Sequence, residues 1–191
     1  MIKNLAKALS NRVRPTLVIY VSSYIPRHCG IASYTKNLTN AINLLNPHHL
    51  AEIVAFNRGQ EKFDYPAEVK LVLNDQKRVD YLKAAEFINR SGADLVSLQH
   101  EFGLFGGQSG DYILPLIELL KLPLVTTIHS LPDDFRSSHG RILKKIIAKS
   151  QAVTVIINQS RQKLVKDYGI PTQKIVVIPH GIPDLTYDAT D

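Results

Sequence analysis

A doubly wound α/β fold, one Rossmann-like parallel sheet of about seven strands, is what this sequence predicts. Three observations carry that reading. Apolar runs of strand length alternate with segments of helical period from residue 16 to residue 178, with one strand-to-strand step across a polar loop between 56 and 69, and such alternation favours parallel strands joined by right-handed crossovers. The strand runs, such as TLVIYVS at 16–22, are apolar nearly throughout, as strands buried on both faces of a parallel sheet are. Several runs end directly in polar or glycine-rich stretches, and open α/β sheets bind ligands beyond the carboxyl ends of their strands.

In chain order, residues 1–15 come first, with Ile2, Leu5, Ala6 and Leu9 on one helical face and Lys3, Lys7 and Arg12 around the other side. That pattern predicts a short amphipathic helix lying on the domain, although its composition also permits docking on a membrane surface or partner. The first strand at 16–22 feeds SYIPRHCG at 23–30, and Ile31, Tyr34, Leu38, Ala41, Ile42 and Leu45 then recur at a helical period. Gly30 therefore stands at a strand-to-helix turn, where backbone N–H groups and the positive helix end favour an anion. The loop does not contain G-x-G-x-x-G, which argues against a dinucleotide fold.

Residues 50–56 and 69–73 are the second and third strands, separated by a polar loop with Gly59 and Pro66, and residues 78–89 form a crossover helix ending near Ser91-Gly92. The stretch DLVSLQHEFGLFGGQSG, residues 94–110, is where a site is first sought. It reads as a short strand at 95–98, a polar tip of Gln99, His100 and Glu101, and a loop with Gly103, Gly106, Gly107 and Gly110. A helix at 112–120 takes Pro115 in its first turn or is kinked by it. The strand LVTTI at 124–128 then ends in a second polar tip, His129 to Asp134. A basic amphipathic helix at 140–150, a strand at 152–157, a helix at 160–168 with Ser160 as N-cap and a last strand at 174–178 complete the alternation. Pro179-His180-Gly181 stops that strand.

With 191 residues and 45% hydrophobic content, one sizeable core is expected. No apolar run approaches the roughly 20 residues of a membrane span and no signal-peptide pattern opens the chain, so the cytoplasm is the expected compartment. The single cysteine, Cys29, rules out an internal disulfide framework and a cysteine metal cluster. A net charge of +6 points to partners carrying phosphate or other acidic groups, including anionic lipid surfaces. Nucleic acid is not expected, because Lys and Arg are dispersed and neither a zinc-finger spacing nor an aromatic RNP-like run is present. No Lys-Ser or Lys-Thr pair follows the glycines as a P-loop requires, and no G-x-S-x-G supports a hydrolase built on Ser130, Asp133 and His129.

Three loops, 27–30, 99–107 and 129–134, converge on one sheet edge by this logic. The segments YIPRHCGIASYTKNL, SLQHEFGLFGG, LPLVTTIHS and KIVVIPHGIPD resemble, in order and spacing, the N-terminal domain of glycosyltransferase family 4, a group of retaining GT-B enzymes. The resemblance covers most of residues 16–184 and implies the following. The fold is one half of a GT-B pair, with residues 1–15 an N-terminal helix, 16–179 the acceptor-side Rossmann-like domain and 180–191 the start of an interdomain linker. The activity is retaining transfer of a sugar from a nucleotide-sugar donor to a sugar or lipid/glycan acceptor, without cofactor or metal. His129 matches the histidine at the reaction centre. Gly30, Ile31 and Ala32 match the loop touching the donor diphosphate. Arg27, His28, Gln99, His100, Glu101, Gly103 and Gly107 line the acceptor cleft, and Pro179, His180 and Gly181 enter the hinge. The family's paired glutamates and diphosphate-neutralising basic residues belong to a C-terminal domain that this sequence does not include. Transfer is therefore expected only when that domain meets this one in cis or in trans, and the isolated domain is expected to be inactive. A weak contact with the inner membrane face and self-association through the cleft surface are further expectations. The rival is a non-catalytic module that binds a sugar, a nucleotide or a partner subunit.

Overall fold

A computed structural model describes residues 16–181. The expected helix at 1–15 and most of the expected linker at 180–191 lie outside the described residues. The elements run β1 (Val18–Ser22), α1 (Gly30–Leu45), β2 (Glu52–Asn57), β3 (Val69–Asn74), α2 (Arg78–Arg90), β4 (Leu95–His100), α3 (Ile113–Leu119), β5 (Leu124–Ile128), α4 (Ser138–Lys149), β6 (Ala152–Val155), α5 (Asn158–Tyr168) and β7 (Ile175–Val177). All seven strands are parallel, in the order β3-β2-β1-β4-β5-β6-β7. The expected doubly wound sheet is present. None of the described helices is long and apolar enough to cross a membrane.

The strands form because their residues can be buried on both sides. Ile19 and Val21 of β1 join Val54 and Phe56 of β2 in a core that includes Tyr81, Ala85 and Ile88 of α2, while Tyr20, Ile53 and Ala55 belong to a second core with Leu38 of α1 packed against it. Successive side chains point to opposite faces, so one strand serves both cores. A third cluster joins Leu143 and Ile147 of α4 to Val153 and Val155 of β6 and to Leu164 and Tyr168 of α5.

Two boundaries differ from the sequence reading in ways that matter. Strand β4 runs two residues beyond 98, so Gln99 and His100 are strand residues, paired with Thr127 and Ile128 of β5, and not a loop tip. Helix α5 begins at Asn158 with Ile157 at its extended N-cap, because β6 ends early at Val155; Ser160 lies inside the helix and caps nothing. Pro115 sits in the first turn of α3.

Gly106 and Gly107, after β4, are structural. Gly107 has φ +83, and a side chain there would collide with Asp111 and the Tyr112 ring, while one at Gly106 would collide with the Asp75 carbonyl. The close approach at Gly106 is held by the buried Tyr81 hydroxyl, which accepts from Gly106 N–H at 3.0 Å and donates to the Asp75 carbonyl at 3.0 Å. Tyr81→Phe keeps the ring packing but leaves two buried backbone groups short of a partner. It is expected to cost about 1–3 kcal/mol, read as a lower urea midpoint at unchanged slope.

Candidate functional site

The strand order reverses between β1 and β4: β2 and β3 lie on one side of β1, and β4 to β7 on the other. Such a switch point opens a crevice at the carboxyl ends of the two strands. Three segments meet there, the start of α1, the end of β4 and the residues after β5.

Helix α1 is tied down at the crevice by Ser22, the last residue of β1. Its Oγ lies 2.7 Å from Thr35 Oγ1, which in turn donates to the Ile31 carbonyl at 2.8 Å, all buried or nearly so. Cys29 is the N-cap, no side chain caps the helix, and no acidic residue sits in the first turn. Burial alone would push the Cys29 thiol up. The Ser23 hydroxyl, the N–H groups of Ala32 and Ile31 and the Arg27 charge together bring it below its ordinary value. A negative sulfur is thus favoured at this helix end, which is a local reading of the field that an anionic ligand would meet. Gly30 has ordinary helical backbone and open space where a Cβ would stand. No conformational demand requires glycine at that position, and its bare Cα leaves the helix end accessible.

His129 follows β5, with its N–H donated to the His100 carbonyl at 3.1 Å. Its imidazole Nε2 lies 2.9 Å from Gln99 Oε1, and the Tyr34 ring of α1 meets it edge to face at 4.8 Å. Burial, with a smaller contribution from His180, lowers the His129 pKa to about 4, so the ring is neutral at physiological pH. The Tyr34 ring also packs edge to face on His180 at 5.0 Å. Tyr34 therefore joins the start of α1, the tip of β5 and the segment after β7. The sequence pattern marked Tyr34 only as one apolar position of a helix; its place four residues after Gly30, one turn into the helix, was the available signal.

The other residues expected at the site divide. Gln99 is fully buried and reaches the site through His129. Glu101 is partly exposed and links two loops, accepting from the Ser130 hydroxyl at 2.9 Å and from Phe102 N–H at 3.0 Å. His28 and Gly103 are exposed, and His180 and its neighbours Pro179 and Gly181 are exposed as well. His100 is a correction. As an internal strand residue it is 0% exposed and packs edge to face on Phe102 at 4.6 Å with Phe105 also against it, so it does not line an open cleft. Neither ring nitrogen has a hydrogen-bond partner among the described residues, and burial lowers its pKa to about 3. Arg27 is committed elsewhere: with 12% of its side chain exposed, it donates to the Phe56 carbonyl at 3.3 Å and pairs with Glu61 at 3.4 Å. Gly107 shapes the turn described above. Among the described residues no group of three or more His, Cys, Asp or Glu could hold a metal ion.

The family profile described as Glycosyltransferase Family 4 matches residues 1–184. Among solved structures, lipopolysaccharide outer core galactosyltransferase WaaB in its apo form superposes with a TM-score of 0.58 at 12% identity, over 85% of this chain and 45% of that one. An alpha-glucosyltransferase in complex with UDP and a 13-mer DNA containing a HMU base gives a TM-score of 0.50 at 11% identity, over 73% of this chain and 37% of that one. At these identities the likeness is one of fold, and the chain spans less than half the length of either structure. No curated protein matches the sequence.

Proposed function

This chain belongs to glycosyltransferase family 4, and we propose that it is the acceptor-side half of a two-domain enzyme that moves a sugar from a nucleotide-sugar donor to a sugar or lipid/glycan acceptor with retention of configuration. The observation that supports this most is the meeting of a bare, acid-free helix N-terminus and a neutral histidine at the sheet's switch point, bridged by Tyr34. Departure of a nucleoside diphosphate builds negative charge, and preorganised N–H groups and helix ends stabilise such charge without reorganisation. In this reading Gly30 and Ile31 face the donor diphosphate from one side, with Ala32 fully buried behind them, while a donor-binding domain, joined in cis or supplied in trans, provides the rest of its binding site. His129 faces the reacting sugar, neutral and able to hydrogen-bond a hydroxyl. Residues 179–181 form the hinge, and transfer proceeds without a metal ion. We place the enzyme in the cytoplasm, with the exposed cations Arg141, Lys144, Lys145 and Lys149 of α4 offering weak contact to an anionic inner-membrane surface.

The test is a radiolabelled transfer assay over a panel of nucleotide sugars, run with the chain alone and with a candidate donor domain. Transfer in the combined arm, and none from the chain alone, is the expected result. Sustained binding of a nucleotide sugar with no transfer in either arm would sink the enzyme reading in favour of a binding module.

A further inference from the structure

We propose that Gln99 is a positioning residue that fixes the His129 imidazole as its Nε2–H tautomer, leaving Nδ1 as an uncharged hydrogen-bond acceptor. The functional consequence rests on the reading of His129 as the reaction-centre histidine.

Gln99 sits at the penultimate position of β4 with none of its surface exposed. Its amide nitrogen donates to Ser97 Oγ, two residues back on the same face of the strand, at 3.3 Å. That bond directs the amide oxygen toward β5, where it lies 2.9 Å from His129 Nε2. An amide oxygen can only accept, so the proton between them belongs to Nε2. A neutral imidazole carries one N–H, and Nδ1 is then an acceptor. No described residue bonds to Nδ1.

The groups around the ring reinforce the neutral form. Tyr34 from α1 presents its ring edge to face, His180 lies beyond it after β7, and the fully buried His100 neighbours it on β4. The nearby carboxylate, Glu101, is occupied by Ser130 and by Phe102 N–H. The orienting partner is therefore an amide where catalytic histidines that take up protons have a carboxylate, and a neutral amide stabilises an imidazolium far less than a carboxylate does. His129 held this way suits hydrogen bonding to a ligand hydroxyl and is poorly suited to general-base work at neutral pH.

The experiment uses the full 191-residue chain labelled with nitrogen-15, free of ligand. Long-range proton–nitrogen correlations of the His129 ring are recorded, assigned by their loss in His129→Ala. The wild type is expected to show Nε2–H as the dominant tautomer near neutral pH. Gln99→Leu is expected to lower the ratio of Nε2–H to Nδ1–H by about threefold to tenfold, the range set by one ordinary net hydrogen bond. Gln99→Glu is expected to keep Nε2–H and move the ring's titration upward, toward neutral pH, because a carboxylate now faces it. A side chain that merely filled space would move neither. A dominant Nδ1–H form in the wild type overturns the proposal without recourse to any variant. So does an unchanged ratio in Gln99→Leu, or an unmoved titration in Gln99→Glu. These readouts do not depend on glycosyl transfer, whereas failure of the functional reading would appear as transfer that survives His129→Ala.

Discussion

Acidification from pH about 7.5 to about 5 is expected to lower the unfolding free energy of this domain by about 2–4 kcal/mol, well before its carboxylates titrate in bulk. The cause is a pair of neighbouring histidines whose folded pKa values are lowered by burial, His100 to about 3 and His129 to about 4. The sign follows from proton counting. In the unfolded chain both rings take up a proton near pH 6.5, while in the folded chain they resist it, so the unfolded state binds more protons and stability falls as pH falls. The loss begins as pH drops through about 6.5 and continues toward the folded values. At pH 5 His100 alone accounts for about 2 kcal/mol, and His129, which is only partly buried, adds a smaller amount discounted for solvent screening. Denaturant titrations at several pH values measure the slope. His100→Leu is expected to remove roughly half or more of it at little cost near neutral pH, since the two unpartnered ring nitrogens are replaced by apolar volume. A pH slope that is the same in His100→Leu as in the wild type would show that another group is responsible.

The same two histidines show what the sequence could and could not convey. The succession of strands and helices, including the direct step from β2 to β3, was legible, because buried parallel strands must be apolar on both faces and TLVIYVS or LVTTI permit little else. His129 was legible as a strand-tip residue, since β5 does end at Ile128. Where the strand β4 ends was not legible. The polar letters Gln99 and His100 read as a loop, yet both are buried strand residues, one because Ser97 and His129 satisfy its amide and the other because Phe102 and Phe105 enclose its ring. Of those partners His129 lies 30 positions away and Phe102 and Phe105 sit on a loop that folds back, while Ser97, two residues away, does not by itself mark a buried amide. Arg27 went the same way: the family resemblance placed it in the acceptor cleft, but its partners are Glu61 and the Phe56 carbonyl. Tyr34 is the converse case, a residue whose apolar position in a helix concealed its contact with both His129 and His180. Gly107, expected in the acceptor cleft, turned out with its neighbour Gly106 to be demanded by steric approach, whereas Gly30, demanded by no backbone constraint, is the glycine left open to a ligand.

His129→Ala is expected to reduce transfer by the two-domain enzyme by about 10²-fold while leaving the fold intact, the scale seen when one preorganised hydrogen-bonding group is removed from a charge-developing transition state. Stability near neutral pH should fall by only about 1–3 kcal/mol, the cost of leaving the buried Gln99 amide oxygen without its partner. The acid sensitivity should in fact diminish, because one of the two proton-resisting rings is gone. That combination separates a site residue from a packing residue: damage to the core would lower stability at every pH and carry activity down with it. Tyr34→Leu offers the complementary comparison. It keeps an apolar side chain on α1 but removes the ring that touches both His129 and His180, so it should weaken transfer less than His129→Ala and shift the His129 titration. Transfer by His129→Ala at the wild-type rate, with donor and acceptor saturating, would remove this histidine from the reaction centre and leave the helix terminus of α1 as the site's remaining anchor.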